Sequence, residues 1–327
     1  MSIDFRKMAV AGIALVLSGM AGAAFAQAQN YPIRPIRLIV PYPPGGSTDP
    51  SGRAMGQWLA EKFGQPVVID NRGGAGSTIG HGLAAQATPD GYTLLLGTSG
   101  GLVVAPAWGT KVSYNPLKDF SPIGLMVDVP FVLAVFPGVA AKNIKDFVAL
   151  GKSQPGKINF ASPGAGTPNH LGMELMNALA GTKYLHVPYK GGGPALLDLM
   201  AGRVDALFGA VNYVGPAVQN GRARVIATGH PMRVREYPDA PAMAELVPGF
   251  TNTTWYGLMG PAGMPQPIVN KINTEMRAAL ASAEFRKTLE TLSLLPVSST
   301  PDEMGARVKS ELARWTKVIK DAGIGEK

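Results

Sequence analysis

The residues of this chain best suited to chemistry are hydroxyls, backbone amides and glycines, not paired acids or metal-ligating clusters. RLIVPYPPGGSTDPSGRAMGQWL, residues 37–59, runs from an apolar β-branched stretch through a Pro-Gly-Gly loop into a helical pattern. Asp49 suits the N-cap, Pro50 suits the next position because its missing N–H would be unpaired there anyway, and Met55, Leu59 and Phe63 recur at helical spacing until Gly64. Gly45 and Gly46 allow close backbone approach at the strand end. Unpaired amides and the positive end of the helix dipole then point at one spot, which suits an anion.

The same construction returns in KINFASPGAGTPNHLGMELMNALAG. Ser162-Pro163-Gly164-Ala165-Gly166 leads to Thr167 as N-cap and Pro168 as first helical residue, with Leu171, Leu175 and Leu179 as the buried face and Gly181 as the stop. Either loop alone reads more readily as a capped βα turn. A third loop, NRGGAGSTIGHG at 71–82, spaces Gly74, Gly76 and Gly80 as GxGxxxG without a ribose-reading acid. It reads as a tight turn packing helix on sheet, not a dinucleotide or phosphate loop. GTSGG at 97–101 matches the GxSxG elbow of α/β hydrolases, with Ser99 as nucleophile and Asp205 and His230 downstream in the required order. An elbow needs a long helix after the serine, and LVVAPAWG interrupts one; a hydroxyl and amides at a strand end suit ligand binding better. His81, His170, His186 and His230 have no metal spacing. His170, in the first turn of the second helix, is placed to touch a ligand, and His186 reads as a core or edge residue. No cofactor or metal is expected.

The elements holding these loops are short. IRLIV, QPVVID, YTLLLG, KINFAS, YLHVPY, VDALF and RVIATG alternate with helical patterns, which implies α/β architecture with parallel or mixed sheets covered by helices. At the C-terminus Thr300, Pro301 and Glu303 form a capping box, followed by Met304, Val308, Leu312, Trp315 and Ile319 on one face. Arg6 and Lys7, an uncharged apolar stretch and Ala24-Phe25-Ala26 read as a signal peptide, residues 1–26, so export is expected. The chain contains no cysteine, leaving its core as the source of stability. The net charge of +8 favours anionic partners, but the basic residues are scattered and an exported protein seldom meets nucleic acid.

Seven stretches together resemble the periplasmic receptors of tripartite tricarboxylate transporters, the Bug receptors: YPIRPIRLIVPYPPGGSTD, VVIDNRGGAGSTIG, DGYTLLLGTSG, YNPLKDFSPIGL, NFASPGAGTPNHL, HVPYKGGGPALLDLMAGRVD and WYGLMGPAGMP. The resemblance implies a type II periplasmic-binding fold of two α/β lobes joined by crossing strands, with lobe 1 from 27–127 and 257–327 and lobe 2 from 128–256. It implies a ligand carboxylate clasped by Tyr42, Gly45, Gly46, Ser47, Thr48 and Asp49, by Thr98 and Ser99, and by Ser162, Gly166, Thr167 and His170. Tyr189, Lys190 and Phe208 complete that set. It further implies a monomer that serves membrane permease subunits and is not an enzyme; a Ser99 hydrolase and a sensor input are the alternatives. Two departures stand out. Gly100-Gly101-Leu102 replaces a common Gly-Thr-His, and Gly209-Ala210 replaces a common Asp-Asn pair. Both are expected at the far end of the ligand, which points to a less polar or aromatic carboxylate.

Overall fold

The computed structural model describes residues 30–250 and 252–325, so the signal-peptide reading lies outside the described residues. The apolar β-branched runs form two mixed sheets. One contains β1 (Ile36–Val40), β2 (Val67–Asn71), β3 (Thr93–Thr98), β4 (Phe120–Val129), β10 (Thr254–Pro261) and β11 (Leu295–Pro296), in the order β11-β4-β10-β3-β1-β2. The other contains β5 (Phe131–Val135), β6 (Asn159–Ser162), β7 (Leu185–Pro188), β8 (Ala206–Ala210) and β9 (Arg224–Thr228), in the order β7-β6-β8-β5-β9. β1 pairs in parallel with β2 and β3, and β6 with β7 and β8. β10 runs antiparallel to β3 and β4, and β5 to β8 and β9. Strands such as β5, β8 and β10 are buried throughout, as expected where helices cover both faces of a sheet.

The chain crosses between the sheets twice, side by side. Pro130 alone separates β4 from β5, while the return passes through Asn252 and Thr253 into β10, whose Thr254 pairs with Val129. Asp128, Val129 and Thr254 to Tyr256 therefore pair within the first sheet. The base of this crossing is tied to the last helix. Arg307 donates to Asp128 and to Glu311, each at 2.9 Å, and Trp255 Nε1 donates to Glu311 at 2.8 Å. Burial raises the Asp128 carboxyl, and Arg307 opposes the shift.

Helices pack where the spacing of apolar residues directs them. α1 (Thr48–Phe63) lies on β1 and β2 through Met55, Leu59 and two glycines, and ends at Gly64 in the left-handed region (φ 65°). It starts earlier than the sequence suggested. Ser47 is its N-cap residue without a side-chain cap, and Asp49 is already helical. The Asp49 carboxylate instead accepts from Arg53 Nε and Asn71 Nδ2, both at 2.9 Å, so it fastens the loop and does not cap. α2 (Thr78–Ala85) follows the third glycine loop, and α3 (Ala105–Trp108) follows β3 through a π-helical turn, Gly100–Val104. The segment after Ser99 is thus helical, contrary to expectation, although it stops at Gly109.

In the second half, α4 (Ile144–Ser153), α5 (Pro168–Ala180), α6 (Gly192–Met200) and α7 (Val211–Gln219) flank the sheet. Thr167 caps α5 as expected, accepting the His170 N–H and donating to Gly164 O at 2.7 Å. Leu171 and Leu175 are buried, but Leu179, in the last turn, is 44% exposed. α8 (Gln266–Ala281), α9 (Ala283–Thr291) and α10 (Pro301–Asp321) complete the first half. α10 has the expected Thr300/Glu303 capping box, and buries Met304, Val308, Trp315 and Ile319.

Candidate functional site

The carboxyl ends of β1, β3 and β6 meet between the sheets, together with the N-termini of α1, α5 and α6. They line a partly open chamber of about 40 Å³. From the first half it is lined by Tyr42, Pro43, Gly46, Ser47, Thr48, Thr98 and Gly100, with Thr254 and Tyr256 from β10. Phe131, Pro163, Pro168, Asn169, Gly192 and Tyr213 close it from the other half. Tyr42, Pro43 and Pro163 also border a larger outer pocket of about 310 Å³, whose walls include Gly74 to Ser77, Gly164, Ala165 and Pro188 to Gly191.

The chamber is polar at the helix ends and apolar elsewhere. Ser47 Oγ lies 2.6 Å from Tyr256 Oη, and Thr48 Oγ1 donates to the same oxygen at 3.4 Å. Because no side chain caps α1, its first amides remain open at the spot that Gly46, Ser47 and Thr48 line. Opposite, Asn169 Nδ2 donates to Phe208 O at 2.7 Å, and Asn252 Nδ2 donates to Pro168 O at 2.6 Å, which holds the start of α5 in place. The Tyr42, Tyr213 and Tyr256 phenols are all raised, first by burial, so each remains an O–H group. Three helix N-termini and several hydroxyls, with no carboxylate among the described lining residues, make a receptacle for a negatively charged group.

The candidate residues divide by position. Tyr42, Gly46, Ser47, Thr48 and Thr98 line the chamber, and Tyr189 and Lys190 line the outer pocket. Gly45 instead faces Gly193 across the cleft, and Asp49 turns to Arg53 and Asn71. Ser162 and Thr167 brace the Pro-Gly loop from behind, each with Gly164 O as acceptor. The Gly166 N–H donates to His170 Nδ1 at 3.2 Å, and the His170 ring stacks on His186 at 3.7 Å between centroids. Phe208 is fully buried behind Phe131, edge to face at 5.4 Å, so Phe131 presents the aromatic surface.

Ser99 Oγ pairs with Thr254 Oγ1 at 2.6 Å. Its supposed partners are elsewhere: Asp205 accepts from Asn159 N at 2.7 Å and His230 Nδ1 from Met232 N at 3.2 Å. Among the described residues, Asp205 and His230 do not form a charge relay with Ser99. Of the Gly-Gly-Leu departure, Gly100 lines the chamber but Gly101 backs onto the His81 ring, where a Cβ would come within 2.3 Å. The sequence reading missed Tyr213, Tyr256, Phe131 and Asn169. Tyr256 stands in the quoted WYGLMGP and Asn169 in NFASPGAGTPNHL, so their motifs were visible, but their direction was not. The third glycine loop was read as packing alone. Gly80 does pack on Pro41, but Gly74 to Ser77 also wall the outer pocket.

Two mixed α/β halves, joined by paired crossings and with helix N-termini facing one chamber between them, define a solute-binding protein of the periplasmic type. The family described as tripartite tricarboxylate transporter family receptor matches residues 52–324, and the chain belongs to that family. It is 36% identical to Protein BugT of Bordetella pertussis over 320 residues, 97% of this chain and 98% of that one. Its fold is similar to that of an adipate-bound protein of R. palustris, with 32% identity, a TM-score of 0.87 and coverage of 90% of this chain and 99% of that one. It is also similar to MatC of Rhodopseudomonas palustris with bound malate, with 32% identity, a TM-score of 0.83 and coverage of 88% and 100%.

Proposed function

We propose that this chain is an exported receptor that closes two lobes on an organic carboxylate and delivers it, without catalysis, to the permease subunits of a tripartite tricarboxylate-type transporter. Cleavage after Ala26 would release it into the periplasm. The lobes are the two sheets with their helices, hinged at Pro130 and at Asn252 to Thr253. The observation that carries the reading is the uncapped N-terminus of α1 facing the N-terminus of α5 within one chamber. Adipate and malate, seen with two relatives, are the kind of ligand such an arrangement holds. At about 40 Å³ the chamber has room for only a few waters, so a bound acid would hold the halves slightly further apart.

Matched acid and amide pairs test this. A carboxamide keeps the shape of the acid but loses its charge, and charge-assisted hydrogen bonds contribute about 1.5–3 kcal/mol each. In a thermal-shift screen of such pairs, at least one acid should stabilise the protein by mass action, with its amide bound about tenfold or more weakly. Amides that stabilise as well as their acids would end the anion-clasp reading and return both Pro-Gly loops to ordinary βα turns.

A further inference from the structure

The second half of the chain carries basic residues that the clasp does not use. β6 and β7 point their carboxyl ends, Ser162 and Pro188, toward the cleft, so the opposite ends of these strands and the loops before them form a pole on the far side of the sheet. Lys142, Lys145, Lys152, Lys157, Lys183 and Arg222 are scattered in the sequence, and all are exposed. The fold gathers them there. Lys145 and Lys152 stand two turns apart on one face of α4, with Lys142 just before its cap. Gly156 N donates to Lys183 O at 2.7 Å and Leu185 N to Ile158 O at 2.8 Å, which sets the Lys157 loop beside the Lys183 loop. Tyr184 fastens both to α4, its ring stacked on Phe147 at 4.6 Å and its hydroxyl donating to Phe147 O at 2.9 Å. Arg224, two residues after Arg222, donates to Val139 O and Ala141 O at 2.9 and 3.0 Å, which brings the start of β9 up to Lys142. None of the six cations forms an ion pair among the described residues. Asp146 lies among them, but its Oδ2 accepts the Lys142 N–H at 3.0 Å. Leu179 and Leu185 flank Lys183 in the chain and are 44% and 43% exposed.

We propose that this pole is a docking surface for the anionic headgroups of a phospholipid bilayer. Five of the six cations are lysines, whose flexible ammonium groups answer a diffuse negative field, whereas the forked guanidinium of arginine suits one defined carboxylate. A protein-binding hot spot would present aromatic or arginine anchors, and the aromatic ring that joins these loops, Tyr184, is buried. Ammonium groups around exposed leucines match the layering of a membrane surface, with charge at the headgroups and apolar side chains just beneath. The pole lies away from the chamber, so a docked molecule keeps its cleft open to solute. An exported receptor held in this way would search for its transporter along the membrane plane.

The test is co-sedimentation of protein recovered from the periplasmic fraction with vesicles of phosphatidylethanolamine and phosphatidylglycerol, and with vesicles of phosphatidylcholine alone. One variant combines Lys152→Gln, Lys157→Gln and Lys183→Gln at the pole. A second combines Lys287→Gln, Lys309→Gln and Lys320→Gln, which removes the same charge from exposed positions in the first half. Exposed substitutions of this kind leave folding intact. The wild type should bind the anionic vesicles about tenfold or more tightly than phosphatidylcholine and be released as ionic strength rises. The pole variant should bind the anionic vesicles about tenfold or more weakly than the wild type, and the second variant within about threefold of it. Equal losses in the two variants would reduce the attraction to net charge and overturn the proposal. Equal binding to both kinds of vesicle would overturn it as well, and binding only to vesicles that also hold permease subunits would assign the pole to a protein partner instead.

Discussion

His81 is fully buried, and its two ring nitrogens are used in opposite senses. Nε2 accepts the Thr98 N–H at 3.3 Å, which leaves the proton on Nδ1 to be donated to Ser77 O at 2.9 Å. The neutral ring thereby links the glycine loop of the outer pocket to the strand end of the inner chamber. Burial pushes its pKa down to about 4 from 6.5. Because the folded value is depressed, the unfolded chain takes up a proton first as pH falls. Stability is intact above about 6.5 and is lost progressively toward 4. His186, pushed down to about 3 by burial and by His170, acts in the same direction but is partly exposed. Denaturant titrations should find the protein about 2 kcal/mol less stable at pH 5 than at pH 7. His81→Gln should remove much of that slope, and an unchanged slope would place the proton elsewhere. In the sequence these histidines lack metal-ligand spacing, but nothing there says which of them would be buried. Residue roles that depend on direction were hidden for the same reason: Asp49 looked like a cap because its type is right, and only its contacts with Arg53 and Asn71 show otherwise.

Among the elements, the strands were the most legible part of the fold, because runs such as IRLIV and VDALF have few other ways to bury β-branched residues. Helix ends were legible where the cap is local, as at Thr167 and Thr300, and misread where it is not, as at Ser47. Close helix–sheet contact was not legible at all. In α1, a Cβ on the buried Gly52 would lie 2.7 Å from Val40 Cγ2. Replacing glycine by alanine inside a helix ordinarily gains about 1 kcal/mol, but overpacking a fixed core costs about 1–3. Gly52→Ala should therefore lower the melting temperature. Gly305→Ala in α10 is the opposite case, since its nearest neighbour would be Pro122 Cγ at 3.5 Å, and it should raise it. Two shifts of the same sign, read by thermal melts, would refute this account of α1 packing. The chamber was only half legible for a related reason. Loops carry recognisable motifs, but Phe131, Tyr213 and Tyr256 reach the chamber from separate segments, and their meeting depends on how the sheets cross.

For the molecule as a whole, glycines mark several of the close approaches between the two halves across the cleft. A Cβ on Gly193 would lie 3.6 Å from Gly45 O, and one on Gly76 would lie 2.7 Å from Ala165 O. Large side chains at these places would stand between the lobes. Gly193→Trp should hold them apart, which small-angle scattering would register as a larger radius of gyration in saturating ligand, and affinity should fall about tenfold or more. Unchanged affinity would mean that closure there is not needed for binding. The ties from α10 to Asp128 and Trp255 have a mechanical consequence. Arg307 and Glu311 tie the roots of both crossings to α10, so on the proposed two-lobe reading any bending would fall at Pro130 on one passage and at Asn252 to Thr253 on the other. Two short pivots set in a stiff mount leave one angular coordinate, not a diffuse flexing of the sheet. A small change in the spacing of the chamber walls is then geared up into a larger displacement at the outer rims. A membrane partner that spans both rims could therefore sense occupancy as a length, without touching the ligand.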